Sequence, residues 1–316
     1  MAEQVHSPRV TVVLPTYNGA RYIAQALDAI LSQTYRDLEV IVVDGGSTDG
    51  TLDLVASYHD ARIRILHQDG NVGRLPGALN LGFADAKGTY LTWTQDDDCF
   101  SPCAIQTLAE YLDQNPEVDF AYCDYGLADE AGHPIRCIAV QPPEFLRESN
   151  CVGHCFLFRR KVYERVGEQN TADAYLVHDY EYWVRVSLDF TMRVCPVSEP
   201  LYFHRMHSAN LSSKHYFDVA IDLDRVRAQF FGVPLTPVRQ IVARRYIERG
   251  FEAYARRDLA GVRLNIPRGI LRAPSYLRNR GVISIFAESI IGEEPARLIR
   301  RFLRSRRSSD YLGHAR

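Results

Sequence analysis

Residues 39–51 read Glu-Val-Ile-Val-Val-Asp-Gly-Gly-Ser-Thr-Asp-Gly-Thr: an apolar run, Val40–Val43, ends in Asp44 and a glycine-rich turn, Gly45-Gly46-Ser47. Four apolar residues without alternation, closed by turn signals, predict a strand buried on both faces, as strands of parallel sheets are. Its carboxyl end hands one carboxylate to a loop, at the sheet edge where open α/β folds bind nucleotides. Two further stretches repeat the pattern. Val10–Leu14 runs into Pro15-Thr16-Tyr17-Asn18, and Tyr90–Thr94 runs into Gln95-Asp96-Asp97-Asp98. Together they predict one cleft lined from several strand ends.

Helical patterns alternate with these strands. Tyr22–Ser32 places Ile23, Leu27, Ile30 and Leu31 on one face. Thr51–Tyr58 follows Ser47, Thr48 and Asp49, all good capping residues. Gly77–Ala86 and Pro102–Asn115 read as further helices, Ile63–His67 and Phe120–Cys123 as further strands. The order predicts an α/β fold with a doubly wound, mostly parallel sheet. After Asp124 the alternation stops. Ala128–Pro134 is a turn between two strand-like runs, Gly153–Phe158 is a buried apolar run, and Tyr163–Val166 and Asp179–Leu188 read as helices. Pro200–Phe203 reads as a short strand, with His204 and His207 in the loop behind it. From Tyr216 only Arg-rich helical patterns remain, broken by Pro234, Pro237, Pro267 and Pro274. The expected division is therefore a catalytic domain over 1–215 and a basic helical C-terminal extension over 216–316.

The 316 residues carry a formal net charge of −2 that hides an asymmetry. From Arg239 onward there are 18 Arg, no Lys and 7 acids, and the preceding residues carry the compensating acidic excess. An acidic body with a basic tail suggests two jobs, the second facing anionic lipid or an acidic polymer. Seven cysteines lack metal spacing and fit reduced thiols in a cytoplasmic protein. Met1–Arg9 is polar without a signal-peptide core, and no run of about 20 apolar residues offers a spanning helix.

Three chemistries stand out. Asp96, Asp97 and Asp98 repel one another unless a cation sits among them, and oxygen ligands suit Mg2+ or Mn2+ bridging phosphates; a solvated acidic turn is the plain alternative. Asp44 can accept the N3–H of a pyrimidine, with Tyr17 stacking on the base; each also has an ordinary use, as an Asx turn and as packing. In His178-Asp179-Tyr180-Glu181, the two carboxylates diverge by about 200° on a helix. Asp179, nearer the amino end, is then the candidate general base, and Glu181 a solvated or paired helix residue. The loop Asn71-Val72-Gly73 and the helix from Gly77 could turn amides toward a ligand. They carry neither a dinucleotide fingerprint nor a phosphate-binding Walker loop.

In this order and spacing the motifs VVLPTYNGARYI, EVIVVDGGSTDGT, NVGRLPGALNLGFADAKGTYLTWTQDDD, HDYEYWVRV and LYFHRMHSANLS, over Val10–Ser213, resemble the family 2 glycosyltransferases, inverting enzymes with a GT-A fold. The resemblance implies that Thr16, Tyr17 and Asp44 hold the uracil or thymine of a nucleotide-sugar donor. It implies that Asp96 contacts the donor ribose or sugar, that Asp97 is the metal-binding carboxylate of the family's DxD, and that His207 reaches the metal or diphosphate. It makes Asp179 the base that deprotonates an acceptor hydroxyl on a glycan or a lipid-linked acceptor, with Mn2+ or Mg2+ as cofactor, in cell-surface polysaccharide or glycolipid assembly. Gln95 stands where the first DxD aspartate stands in the family, His178 where its ED pair has Glu, Gly45 where VDDGS has its second Asp, and Leu79 where an arginine is common.

Two other readings compete: a catalytically inactive carbohydrate-binding or scaffold protein of the same fold, for which Gln95 and His178 speak, and a nucleotidyltransferase, which would want more basic residues near the first strand than Arg9 and Arg21. No nucleic-acid partner is expected. Acceptor choice is expected in Tyr125–Val152 and the tail. There Ala296–Arg307 sets Leu298, Ile299, Phe302 and Leu303 at helical spacing among arginines, a pattern that could lie on an anionic membrane surface or pack on protein.

Overall fold

The computed structural model describes residues 8–71, 74–172, 175–208, 210, 215–292 and 295. Strand β1 (Val10–Thr16) lies between β2 (Leu38–Asp44) and β4 (Tyr90–Trp93), parallel to both, and β3 (Ile63–His67) continues the sheet beyond β2. On the other side of β4 come β9 (Cys155–Arg159), β6 (Phe120–Cys123) and the edge strand β10 (Met192–Val194). This seven-stranded sheet is parallel except for β9, which runs antiparallel to both β4 and β6. The apolar run at 153–158 is thus a central strand of reversed direction. An apolar run read alone carries no direction.

Side chains alternate across the sheet, as period two requires. Val10, Val12, Leu14, Val40 and Val42 join one core with helices α1 (Ile23–Leu31) and α4 (Ala104–Gln114). Val13, Ile41 and Val43 join the other with α3 (Arg74–Asp85) and α6 (His178–Asp189). Between α1 and α3 lies the short helix α2 (Thr51–Ala56). It starts after Gly50, at φ 87°, without a side-chain cap, although Asp49 accepts from the Thr51 amide at 3.2 Å. The second core is aromatic. Trp183 stacks on Trp93 at 4.9 Å and 10°, with Phe120 and Phe156 edge-on to it. Removing so large a buried ring leaves a cavity, so Trp183→Ala is expected to cost about 3–5 kcal/mol, read as a lowered denaturation midpoint at unchanged slope.

A second, four-stranded sheet runs β5 (Cys99–Phe100), β11 (Tyr202–Arg205), β7 (Tyr125–Ala128), β8 (Pro134–Ile138). His204 is therefore a strand residue, held by pairing with Leu127, and only His207 lies in the loop beyond. Helix α5 (Arg160–Val166) follows β9 directly.

The chain divides into two compact units, 1–233 and 234–316. The division falls later than the change in composition suggests, because helix α7 (Tyr216–Phe231) buries Val226 in the Trp183 core and packs Val219, Leu223, Phe230 and Phe231 there. In the second unit, helices α8 (Val238–Ala255), α9 (Leu259–Arg272) and α10 (Arg280–Ile291) share a small core of Ile247, Val262, Ile266, Val282 and Ile285. The basic segment Ala296–Arg307 and residues 72–73 of the loop before α3 lie outside the described residues. Among the described residues no helix is long and apolar enough to cross a membrane.

Candidate active site

Register places the site. Thr16 pairs with Asp44, and Val13 with Trp93, so the loops after β1, β2 and β4 leave the sheet side by side. Asn18 and Ser47 bind across the first two loops: the Asn18 amide donates to Ser47 Oγ and the Thr48 amide to Asn18 Oδ1, each at 2.8 Å. The Ala20 amide adds a bond to Asp49 at 3.1 Å.

Asp44 is 1% exposed, and its carboxylate accepts the amides of Gly46 and Ser47 at 3.1 Å. The Asx turn is therefore formed. A carboxylate has about four acceptor sites, so this turn leaves capacity for a further donor. Tyr17, beside it, is 56% exposed. Thr16 is buried and gives its hydroxyl proton to Asp96 Oδ2 at 2.5 Å, tying β1 to the acidic loop. Gly19 was not singled out in the sequence. A side chain there would collide with Asp96 Oδ2 and with Thr16 Oγ1, so glycine is required for this close approach.

The three aspartates have three different surroundings. Asp98 is fully enclosed and accepts from Tyr202 Oη (2.8 Å), His204 Nδ1 (3.0 Å) and the Arg205 amide (2.8 Å). Burial pushes its carboxyl up, but His204 and these hydrogen bonds outweigh it and the net shift is down. His204 answers in the opposite sense: burial pulls it down, Asp98 more than restores it, and the net shift is up. Asp98 thus fastens the acidic loop to β11. Arg205 reinforces the joint by donating to the Asp97 carbonyl at 2.8 Å and to Gln25 at 2.7 Å, while its guanidinium covers the Tyr22 ring.

Asp96 and Asp97 are left for a ligand. Burial pushes Asp96 up to about 7, with the charges of Asp97 and Asp98 adding to it against the Thr16 bond. Burial and Asp98 also raise Asp97. Asp97 Oδ2 lies 2.8 Å from His207 Nε2, whereas Asp97 Oδ1 is buried and, among the described residues, without a partner. An orphaned carboxylate oxygen, an imidazole beside it and two buried carboxyls pushed up by burial and by neighbouring carboxylates fit a divalent cation; the carboxylate oxygens suit Mg2+ or Mn2+, and the imidazole nitrogen favours Mn2+ of the two. A cation on Asp97 favours the ionised form of the neighbouring Asp96, so binding releases a proton and metal affinity is expected to rise between about pH 6 and pH 8, measurable by calorimetry in two buffers of different protonation enthalpy.

A second group, Asp98, His154 and His204, has ligand atoms within 4.8 Å of one another. The two imidazoles are stacked at 4.4 Å and 4°. Nitrogen lone pairs lie in the ring planes, so parallel rings in this arrangement cannot both reach one ion. Asp97 with His207 is the better-placed pair.

Asp179 is the second residue of α6 and half-buried. Asn150 Nδ2 donates to its Oδ2 at 2.8 Å, and its charge reaches His154 and Tyr125. Glu181 is buried, in an ion pair with Arg185 at 2.9 Å, and points elsewhere. His178 is buried too, with Nδ1 2.5 Å from Gln169 Oε1. Asn150→Ala frees the Asp179 carboxylate. A turnover loss of roughly tenfold to a hundredfold at unchanged donor affinity is expected, checked by steady-state kinetics beside nucleotide calorimetry.

Comparison with known proteins agrees with this geometry. Residues 11–167 match the glycosyl transferase family 2 model. An uncharacterized glycosyltransferase of Rickettsia typhi is 30% identical over 229 residues, which span 67% of this chain and 69% of that protein. One from Rickettsia prowazekii is 31% identical over 58% of this chain, and the match spans 60% of its length. Among solved structures, Staphylococcus aureus TarS 1–349 in complex with UDP aligns over 90% of this chain and 81% of its own, with a TM-score of 0.55 and 17% identity. The mannosyltransferase PcManGT of Pyrobaculum calidifontis, in complex with GDP-Man and Mn2+, aligns over 95% and 81%, with a TM-score of 0.56 and 20% identity. With its mostly parallel sheet, buried strand-end carboxylates and these relatives, the chain belongs to glycosyltransferase family 2 and has the GT-A fold.

Proposed function

We propose that the protein is an inverting glycosyltransferase that moves a sugar from a UDP- or dTDP-linked donor to an acceptor hydroxyl. The observation that carries this is the orphaned Asp97 Oδ1 beside His207, in the cleft that Asp44 and Tyr17 also border. Asp44 takes the pyrimidine N3–H and Tyr17 stacks on the base. Asp96, held by Thr16, contacts the ribose or sugar. Asp97 and His207 would hold a divalent cation, whose chemistry there would be Lewis-acid neutralisation of the leaving diphosphate. Asp179, oriented by Asn150, removes the acceptor proton while the acceptor oxygen attacks the anomeric carbon from the face opposite the diphosphate, so the anomer inverts. A single base suffices, unlike the carboxylate pair of glycoside hydrolases.

Solved neighbours bind UDP in one case and GDP-Man in another, so the fold alone does not choose the base. Guanine would leave Asp44 mispaired, a loss of about 1–3 kcal/mol. Calorimetric titration with UDP, dTDP and GDP in Mn2+ should rank the pyrimidines tighter, and tighter GDP binding overturns the assignment. An inactive scaffold of the same fold would bind UDP-sugars without hydrolysing them, which a UDP-release assay separates.

The acceptor on this reading is a glycan or lipid-linked sugar at the inner face of a membrane, in cell-surface polysaccharide or glycolipid assembly. The segment Ala296–Arg307 supplies basic contact with anionic headgroups, at about 1 kcal/mol per basic residue near the surface. Full-length protein should float with anionic liposomes and a chain ending at Gly292 should float less. Equal soluble recovery of both rules out membrane contact through the tail.

A further inference from the structure

The nucleotide and metal reading leaves unused the ring cluster on the Asp179 side of the cleft. Tyr125 opens β7 and His154 immediately precedes β9. Their rings meet edge to face at 4.9 Å, and His154 stacks on both His204 and Tyr202. Gly153, at φ +74°, lets the backbone pass the Tyr125 ring, which a side chain would strike. Both residues are half-buried. Among the described residues neither the Tyr125 hydroxyl nor a His154 ring nitrogen has a hydrogen-bond partner, although each ring is fixed by its neighbours. Both feel the charge of Asp179.

We propose that Tyr125 and His154 form the acceptor subsite, fixed rings whose unpartnered polar atoms hydrogen-bond the hydroxyls of an uncharged sugar next to the Asp179 carboxylate. The inference rests on the transferase reading above and specifies the class of its second substrate. A sugar suits the site because its hydroxyls both donate and accept, matching a phenol, an imidazole and a carboxylate at once. A phosphate-ended acceptor would instead bring negative charge up to Asp179. Binding here leaves an acceptor hydroxyl within reach of the base, as positioning for attack requires.

The test uses full-length protein with UDP and Mg2+. Saturation-transfer NMR is recorded with methyl β-D-glucoside, methyl α-D-mannoside, methyl N-acetyl-β-D-glucosaminide and, as the anionic arm, glycerol 3-phosphate. Tyr125→Phe removes only the hydroxyl, and His154→Phe keeps an aromatic ring, a larger one, without the nitrogens. Each is expected to weaken binding of the best glycoside by about fivefold or more, with UDP affinity from calorimetry unchanged within about twofold. Tyr125→Phe alone decides if His154→Phe does not fold. Unchanged glycoside affinity in Tyr125→Phe and in any folded His154→Phe overturns the proposal. So does a wild type that binds none of the glycosides, or that binds glycerol 3-phosphate more tightly. Failure of the wild type to bind UDP, dTDP and GDP alike overturns the transferase reading itself, and this subsite with it.

Discussion

Asp179→Asn is expected to slow transfer by about a hundredfold or more while leaving donor binding unchanged. Asparagine keeps the size and the hydrogen-bonding shape, so the Asn150 contact can re-form through an amide oxygen, but it cannot take a proton. The loss should appear in kcat and kcat/KM together, the signature of a group that acts in the transition state. Glu181 is the internal control. Its carboxylate is buried against Arg185, so Glu181→Gln is expected to lower the thermal midpoint, because Arg185 loses its countercharge, and to change the rate much less. If Glu181→Gln slowed transfer more than Asp179→Asn, the base would have been assigned to the wrong carboxylate.

Asp97→Ala should abolish metal-stimulated UDP binding in a protein that still folds. Asp98 holds the acidic loop to β11 through Tyr202, His204 and the Arg205 amide, so removing the neighbouring side chain leaves that anchor in place. The substitution deletes both the orphaned Oδ1 and the His207 partner. Calorimetry with and without Mn2+ reads the effect. Wild-type UDP affinity that is the same in excess chelator as in metal would refute a metal role at this site.

Much of this was legible in the chain because the decisive residues sit at the ends of buried strands. Val40–Val43 and Tyr90–Thr94 could be assigned from unbroken apolar runs, and the carboxylates that follow them had to emerge at the sheet edge. What those carboxylates touch could not be read. That Thr16 holds Asp96, that Gly19 makes room for the pair and that Asp98 is a structural anchor all depend on contacts between residues far apart in sequence. The reversed direction of β9 was hidden for a related reason: a buried apolar run looks alike in either direction, and only its neighbours fix the sense. His204 was expected in a loop because Pro200 and the short apolar run suggested an early end, whereas pairing with β7 carries the strand to Arg205. The ring stack around His154 could not be read either, since its partners come from β7 and β11.

The most direct test of the central claim is nucleotide release from UDP-sugars by full-length protein, with the anomeric configuration of the product read by NMR. The account predicts Mn2+- or Mg2+-dependent UDP formation, lost in Asp97→Ala, and a product whose anomeric centre is inverted relative to the donor. Metal-independent turnover, a retained anomer, or binding without any release of UDP would contradict it.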